Sequence, residues 1–372
     1  MRRIFRALYL ITFVAALPSA IGVGASLPVS AWLAVLIAVA LASVAPILLA
    51  GRLELITDDR PIGRVRGLFE RLFFMHWGAA IASVPLSFVA LPLALALDVR
   101  ASAALLAAYA VGTAVACFSV FVRPRLVRVR EIVVPVEDLP APFDGYRIAQ
   151  LSDLHVGSLC PSTVIAGWVR TANELDVDLV ALTGDYVTMG NRFHAIAAHE
   201  LSRLRARDGV AAVLGNHDNA CEGEPLRSGL VAGGVRLLMN ERFTVERGGA
   251  TMTIAGVDDI YSGRADVART LAGARAPVVA LAHDPKHFDA ISRYDVALVL
   301  AGHTHWGQIG VPFFSRRMNL ARGFFRYHAD LYRRTGTAMY VHPGMGTTGP
   351  PIRFGVAPEI AVFRLKRAAT SP

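Results

Sequence analysis

From Ala7 to Gly51 the chain runs 45 residues without an Asp, Glu, Lys or Arg, more than twice the ~20 apolar residues that a membrane-spanning helix needs. Such a run must fold back on itself. Gly22, Gly24 and Pro28 supply the break, giving spans at about 7–25 and 31–50. Two further charge-free stretches, 72–97 and 101–122, flank a short Asp98-Val99-Arg100 link, so the pattern predicts a transmembrane domain of four helices over residues 1–131. A secretory signal peptide competes for the first span, because Arg2 and Arg3 precede its apolar core. The second span follows with no polar segment between, which favours a helical hairpin. Pro18, Pro46, Pro85 and Pro92 fall inside spans, where neighbouring helices absorb a kink. His76 is the one ionisable residue well inside a span, and its shallow position reads as a neutral interfacial histidine.

The pattern then changes. Pro135, Pro140 and Pro142 mark a linker over 132–143, and a second domain is expected over 144–372. Five short apolar runs there each end in a polar cluster. Ile148-Ala149-Gln150-Leu151 precedes Asp153 and His155; Leu179–Leu182 precedes Asp185; Val210–Leu214 precedes Asn216, His217 and Asp218; Val278–Ala282 precedes His283; Val296–Ala301 precedes His303 and His305. Apolar runs of this length bounded by turn residues read as buried strands. Helix-compatible segments near 161–175, 193–207, 225–233 and 264–273 separate most of them, the spacing of an α/β sheet. Ligands in such sheets gather beyond the carboxyl ends of the strands, which is where all five clusters fall.

Composition adjusts this picture in two places. With 54% hydrophobic and 18% charged residues, the chain is not an ordinary soluble, disordered or fibrous protein. Of the net charge of +9, most lies in the first 131 residues, with 13 basic and 6 acidic side chains against 25 and 23 in the remainder. The excess therefore reads as membrane-flanking charge, and no nucleic-acid partner is expected. Arg2, Arg3 and Arg6 precede the first span; Arg52, Arg60, Arg64, Arg66 and Arg71 lie between the second and third; Arg123, Arg125, Arg128 and Arg130 follow the fourth; the opposite loops hold only Arg100. By the positive-inside rule both termini, and with them the second domain, are expected in the cytoplasm. Cys117, Cys160 and Cys221 are too few and too scattered for a disulfide framework or a zinc–cysteine site.

The five clusters are built from Asp, His and Asn. Mixed imidazole and carboxylate donors suit Mn, Fe, Zn or Ni rather than thiolate-loving ions. In order and spacing, Asp153-Leu154-His155, Gly184-Asp185, Gly215-Asn216-His217-Asp218, His283 and Gly302-His303-Thr304-His305 resemble the calcineurin-like metallophosphoesterase superfamily over roughly residues 144–367. The stretch Gly302–Gln308 and the later Tyr340–Gly346 and Pro358-Glu359-Ile360 look like its membrane-associated bacterial phosphodiesterase branch, although Trp306 stands where that branch often has Gly.

The resemblance implies two β-sheets packed together and flanked by helices, and two divalent metal ions per chain. Asp153, His155 and His305 would bind one ion, Asn216, His283 and His303 the other, and Asp185 both. His217 would protonate the leaving group, with Asp218 fixing its tautomer. The implied function is a phosphoesterase or phosphodiesterase in the bacterial inner membrane, hydrolysing a phosphoester or pyrophosphate bond in a phosphorylated, including a lipid-linked, small molecule, with the phospholipid bilayer as its other partner. A catalytically idle membrane protein whose metal domain binds a ligand is the alternative, and the complete ligand set argues against it. A transporter reading is weaker, because the spans show no buried charged pair. His342 is expected near the same face, His287 at a helix start, and His194, His199 and His328 on the surface. Trp306 is expected at the rim, and the Arg- and Phe-rich stretch 313–334 as a lipid-contacting flap or a solvated loop.

Overall fold

A computed structural model of the chain describes residues 2–56, 62–220 and 223–368; Arg60, Cys221 and the last four residues lie outside them. Two compact units result. The first comprises the chain up to Arg123 with the stretch Gly349–Ile352, and the second holds Pro124–Thr348 and the chain from Arg353.

The first unit contains α1 (Arg2–Ser26), α2 (Ala31–Ile56), α3 (Arg64–Ala96) and α4 (Ala101–Cys117), the last continuing as a π-helical turn over Phe118–Val122. Four segments, Leu8–Ser26, Ala31–Leu49, Arg64–Ala96 and Ala101–Arg125, are long and apolar enough to cross a membrane. α3 starts at Arg64 rather than near residue 72, because Arg64, Arg66 and Glu70 extend it by a polar stretch. Glu70 is buried and pairs with the half-buried Arg52 of α2 at 3.0 Å, and both lie outside the spans expected at 31–50 and 72–97. Ala79, Ala80, Ala104 and Ala108 are buried between the helices. A Cβ on Gly112 would lie 2.7 Å from the Ala79 carbonyl oxygen, so α4 approaches α3 closely only with glycine there. His76 Nδ1 shares a 2.6 Å hydrogen bond with the Tyr109 hydroxyl.

Two six-stranded sheets form the second unit. One contains β1 (Arg128–Val136), β2 (Arg147–Leu151), β3 (Leu179–Thr183), β4 (Val210–Val213), β5 (Arg236–Leu237) and β12 (Glu359–Arg367) in the order β1-β12-β2-β3-β4-β5. The other contains β6 (Glu241–Arg247), β7 (Ala250–Val257), β8 (Val278–Ala282), β9 (Leu298–Ala301), β10 (Asp330–Arg334) and β11 (Thr337–Val341) in the order β10-β11-β9-β8-β7-β6. β2, β3 and β4 run parallel, as do β7, β8, β9 and β11.

Side-chain alternation explains the layering. Ile148, Leu179, Ala181, Ala211 and Val213 of the first sheet meet Ile254, Val279, Leu281, Leu298 and Leu300 of the second in one buried core. The alternate residues Ala149, Leu151, Val180 and Leu182 face α5 (Ser162–Asn173), α6 (His194–Leu201) and α8 (Glu224–Ala232). On the other outer face, Val257, Ala280 and Val299 pack against α9 (Val267–Leu271) and α10 (Phe288–Ile291). With both faces buried, the central strands read as unbroken apolar runs.

The expected linker is the main correction. Residues 128–136 form β1, in parallel register with β12 from Arg128↔Glu359 to Val136↔Arg367. Ile132, Val134 and Val136 point inward while Val133 and Pro135 between them face out. Pro135 is tolerated because β1 is an edge strand, where a missing N–H costs no ladder bond. His194 is also corrected: it is buried at the start of α6 rather than exposed, and burial pushes its pKa down. His199 is exposed, His328 half-buried, and His287 buried in the turn that opens α10.

Candidate metal centre

Every cluster flagged in the sequence follows the carboxyl end of a strand: Asp153 and His155 after β2, Asp185 after β3, Asn216 and His217 after β4, His283 after β8, His303 and His305 after β9. The structure brings them together. Ligand-capable atoms of Asp153, His155 and His305 all lie within 4.8 Å of one another, as do those of Asp185, His283 and His303, and those of His155, Asp185 and His217. His155 Nε2 is 2.9 Å from His305 Nε2, which is 3.3 Å from Asp153 Oδ1. Asp185 Oδ2 lies 3.2 Å from His283 Nε2 and 3.8 Å from His155 Nε2, so one carboxylate faces both groups. His303 Nδ1 completes the second group, 3.3 Å from His283 Nε2. Asn216 Oδ1 is buried without a hydrogen-bond partner among the described residues. A buried amide oxygen of that kind is costly unless something binds it, and it suits the remaining donor position.

Electrostatics point the same way. Burial works against ionising Asp153 and Asp185, yet the surrounding imidazoles hold both carboxyls below their ordinary range. Burial equally opposes charge on His283, but Asp185 outweighs it and lifts that pKa to about 10. Burial pushes His155 well down and His303 down to about 4. The centre thus stabilises positive charge while keeping His155 and His303 neutral, the state in which imidazoles bind divalent cations. The residues present fit such ions.

The backbone around these donors is cross-braced. Asp153 N–H donates to the Gly184 carbonyl at 2.9 Å, His155 N–H to the Asp185 carbonyl at 3.1 Å, and Gly302 N–H to the His283 carbonyl at 2.9 Å. His303 N–H donates to Asp153 Oδ1 at 3.0 Å. Five of the seven expected ligands, Asp153, His155, Asp185, His303 and His305, adopt left-handed backbone with φ from 49° to 70°.

Two expected roles need correction. Asp218 does not contact His217. It is fully buried and accepts from the backbone N–H groups of Asp185 and Tyr186 at 2.8 Å, Gly215 at 2.9 Å and Val187 at 3.3 Å. Burial and the charge of Asp185 push it up to about 7, against the pull of those donors. Its position at the start of the short helix Asn216–Asn219 aims it at backbone, so it ties the loop after β3 to the loop after β4. The group beside His217 is instead the Thr188 carbonyl, 2.5 Å from Nδ1. A carbonyl only accepts, so Nδ1 carries the proton and Nε2 faces the donor cluster. Trp306 is the second correction: it is buried in the core between the sheets, and its indole N–H donates to the Val341 carbonyl at 2.7 Å. Left-handed backbone at Trp306 and Gln308 turns the indole inward.

Sequence reasoning missed two supports. The Thr183 carbonyl accepts from His283 Nδ1 at 2.7 Å, fixing its tautomer and leaving Nε2 for a metal. Arg353 is fully buried and donates to the carbonyls of Pro343 and Gly346, with Nη2 3.5 Å from His305 Nδ1. Gly346 N–H in turn donates to the Asp153 carbonyl at 2.8 Å, so Arg353 holds the loop after β11 against the end of β2. A lone arginine seven residues past Gly346 carries no sequence signal for this. His342 is buried in that loop, with Nδ1 accepting from Gly344 N–H at 3.0 Å, and burial lowers its pKa to about 3. Of the Arg-rich stretch, Arg316 pairs with Asp330 and Arg326 with Asp289, while the Phe325 ring lies 5.5 Å from the His303 ring.

The sequence profile of calcineurin-like phosphoesterases matches residues 146–307. The metallophosphoesterase YkuE of Bacillus subtilis is 32% identical over 252 residues, covering 66% of this chain and 88% of its own. A transmembrane protein with a metallophosphoesterase domain from Danio rerio is 32% identical over 258 residues, 65% of this chain and 58% of its own. Phosphodiesterase YaeI of Escherichia coli is 28% identical over 237 residues, 62% of this chain and 84% of its own.

Proposed function

The chain belongs to the calcineurin-like metallophosphoesterase family, and from that premise we propose that it is a membrane-anchored hydrolase of a phosphoester or pyrophosphate bond, working with two divalent ions per chain. One observation carries the reading: Asp185 belongs to two donor groups at once, one with His155 and His217 and the other with His283 and His303, and His155 also belongs to the group of Asp153 and His305. Two neighbouring cations repel, and a carboxylate shared between them offsets that repulsion. When bound, the ions supply Lewis acidity, making water a nucleophile near neutral pH and offsetting charge on phosphoryl oxygens. The imidazole and carboxylate set suits Mn, Fe, Zn or Ni.

His217 keeps its Nδ1 proton on the Thr188 carbonyl and presents Nε2 toward the cluster, the atom from which a proton passes to the leaving oxygen. Asp218 acts as a positioning residue, holding the Asp185 and Asn216 loops in register through four backbone donors. The four apolar segments support a substrate that shares the bilayer, such as a lipid-linked phosphoester or pyrophosphate. The distribution of arginine supports a bacterial inner-membrane location with the catalytic unit in the cytoplasm.

The test uses full-length protein in detergent, stripped of metal and reloaded with Mn²⁺, Zn²⁺ or Ni²⁺, assayed on bis-p-nitrophenyl phosphate and on lipid pyrophosphates. Two ions per chain are expected, with release of p-nitrophenolate from the diester or of phosphate from the pyrophosphates, and Asp185→Asn loses both metal and hydrolysis. Full two-ion loading in an active Asp185→Asn protein overturns the assignment of the shared ligand. Two bound ions with no hydrolysis of any substrate favours the idle alternative.

A further inference from the structure

We propose that the loop Val311–Phe324 inserts into the interfacial layer of an anionic bilayer. Its large apolar side chains stand in the open: Phe313 is 100% exposed, Phe324 83%, Phe314 61%, Leu320 54% and Met318 51%. Contiguous exposed apolar surface of this kind marks an interaction site. The loop is not a loose strand of chain. Val311 N–H donates to the Met318 carbonyl at 2.8 Å, Met318 N–H to the Phe314 carbonyl at 2.8 Å, Leu320 N–H to the Ile309 carbonyl at 2.9 Å, and Asn319 Nδ2 to the Ser315 carbonyl at 2.7 Å. Phe313 at the tip has φ 68°, a left-handed conformation that an aromatic residue adopts only when its surroundings impose it. The backbone therefore holds the aromatic rings away from the catalytic unit's own core.

Charge selects the partner. Between Asp295 and Asp330 the sequence has no acidic residue. Arg316 and Arg326 pair with Asp330 and Asp289, whereas Arg317 and Arg322, beside the exposed rings, have no carboxylate partner among the described residues. Apolar residues interleaved with unpaired arginine complement a surface of anionic headgroups over acyl chains. The same chain carries four segments able to cross a membrane, so a bilayer is always within its reach. Phe325, next to the exposed Phe324, has its ring 5.5 Å from the His303 ring, which places the base of the loop beside the second donor group. The claim concerns where the loop sits, and it stands or falls apart from what the metal centre cleaves.

The experiment uses full-length protein in nanodiscs of phosphatidylcholine with and without phosphatidylglycerol, in a Cys117→Ala, Cys160→Ala, Cys221→Ala background. An environment-sensitive fluorophore is attached at Phe313→Cys, at Phe324→Cys, or at the exposed His199→Cys on α6. Insertion gives blue-shifted emission at 313 and 324 and quenching by lipids brominated on the acyl chains, stronger with phosphatidylglycerol, while the label at 199 stays unquenched. Labels at 313 and 324 quenched no more than the one at 199 in both lipid mixtures would overturn the proposal and leave this face to a protein partner.

Discussion

Replacing Gly302 with alanine tests whether the glycine before His303 exists to let two loops touch. A Cβ at Gly302 would overlap both Ser152 Oγ and Asp153 Oδ2, and Ser152 and Asp153 are fully buried. Non-bonded heavy atoms settle at roughly 3.5 Å, so relieving the overlap needs movement of about 1 Å. That movement cannot stay local, because Asp153 Oδ1 and Oδ2 accept the His303 N–H at 3.0 and 3.2 Å. Overpacking of this kind costs about 1–3 kcal/mol of stability. Displacing a ligand's supporting contacts lowers metal affinity by roughly 10–100-fold, and a misplacement of about 1 Å costs on the order of 10²-fold in rate.

The assay pairs three readouts on full-length protein: metal content after dialysis, thermal unfolding with and without metal, and diester hydrolysis. Gly302→Ala is expected to lose most of its activity and part of its metal, with a smaller rise in melting temperature on metal addition than the parent shows. Gly323→Ala is the control, since nothing lies within 4 Å of a Cβ there; neither glycine has a left-handed φ, so the contrast is steric. Native metal affinity and a rate equal to that of Gly323→Ala would refute the reasoning.

Four other outcomes are expected. His217→Gln should retain metal and lose roughly 10²–10⁴-fold in turnover on substrates with poor leaving groups, the defect shrinking with p-nitrophenolate; an equal loss on both would mean the side chain positions phosphate. Asp218→Asn should instead lower the melting temperature of the metal-loaded protein, because its amide NH₂ would face two of the four backbone donors at about 1–3 kcal/mol each, and leave the leaving-group dependence at the parent slope. A reporter fused after Pro372 should be active only in the cytoplasm, and activity on the far side of the membrane would revive the signal-peptide reading. For full-length protein in detergent, kcat/KM should be higher for a lipid phosphoester than for its short-chain analogue, and equal values would reduce the four spans to an anchor.

The sequence made the parallel strands and the chemistry at their ends legible for one physical reason. A strand buried on both faces must be apolar throughout, so Val278–Ala282 or Leu298–Ala301 stands out against the polar loop that follows it. β1 did not, because Val133 and Pro135 stand between its buried Ile132, Val134 and Val136, so no polar alternation marks a face, and its start merges with the arginine-rich exit from the helices. Its partner β12 lies more than 220 residues away in sequence at Glu359–Arg367, and no local pattern encodes that pairing. The supporting groups were hidden for a related reason. Thr183 and Thr188 act through backbone carbonyls, which every residue possesses, and Arg353 acts through burial. Asp218 was visible as an acid beside a histidine, but adjacency in sequence said nothing about direction: its carboxylate points into the loop backbone and not at the neighbouring ring.

The left-handed residues explain why the same few residue types recur at this centre. A chain leaving the end of a buried strand must turn at once if its next side chain is to stay over the sheet edge, and at Asp153, His155, Asp185, His303 and His305 the turn is made with φ from 49° to 70°. Ordinary residues held in such conformations cost of order 1–3 kcal/mol each, whereas Asp, Asn and His tolerate them better than most. Asp and His are also the side chains that offer carboxylate and imidazole donors. One residue type therefore satisfies the backbone demand of the turn and the coordination demand of the cation, and the remaining strain is carried by the cross-bracing of Asp153 to Gly184, His155 to Asp185, and His303 to Asp153. Glycine could make the turns but supplies no donor, and cysteine could supply a donor but tolerates the turn poorly and favours softer ions. The absence of cysteine from all five clusters, read from sequence only as a statement about metal preference, is equally a consequence of the backbone those clusters adopt.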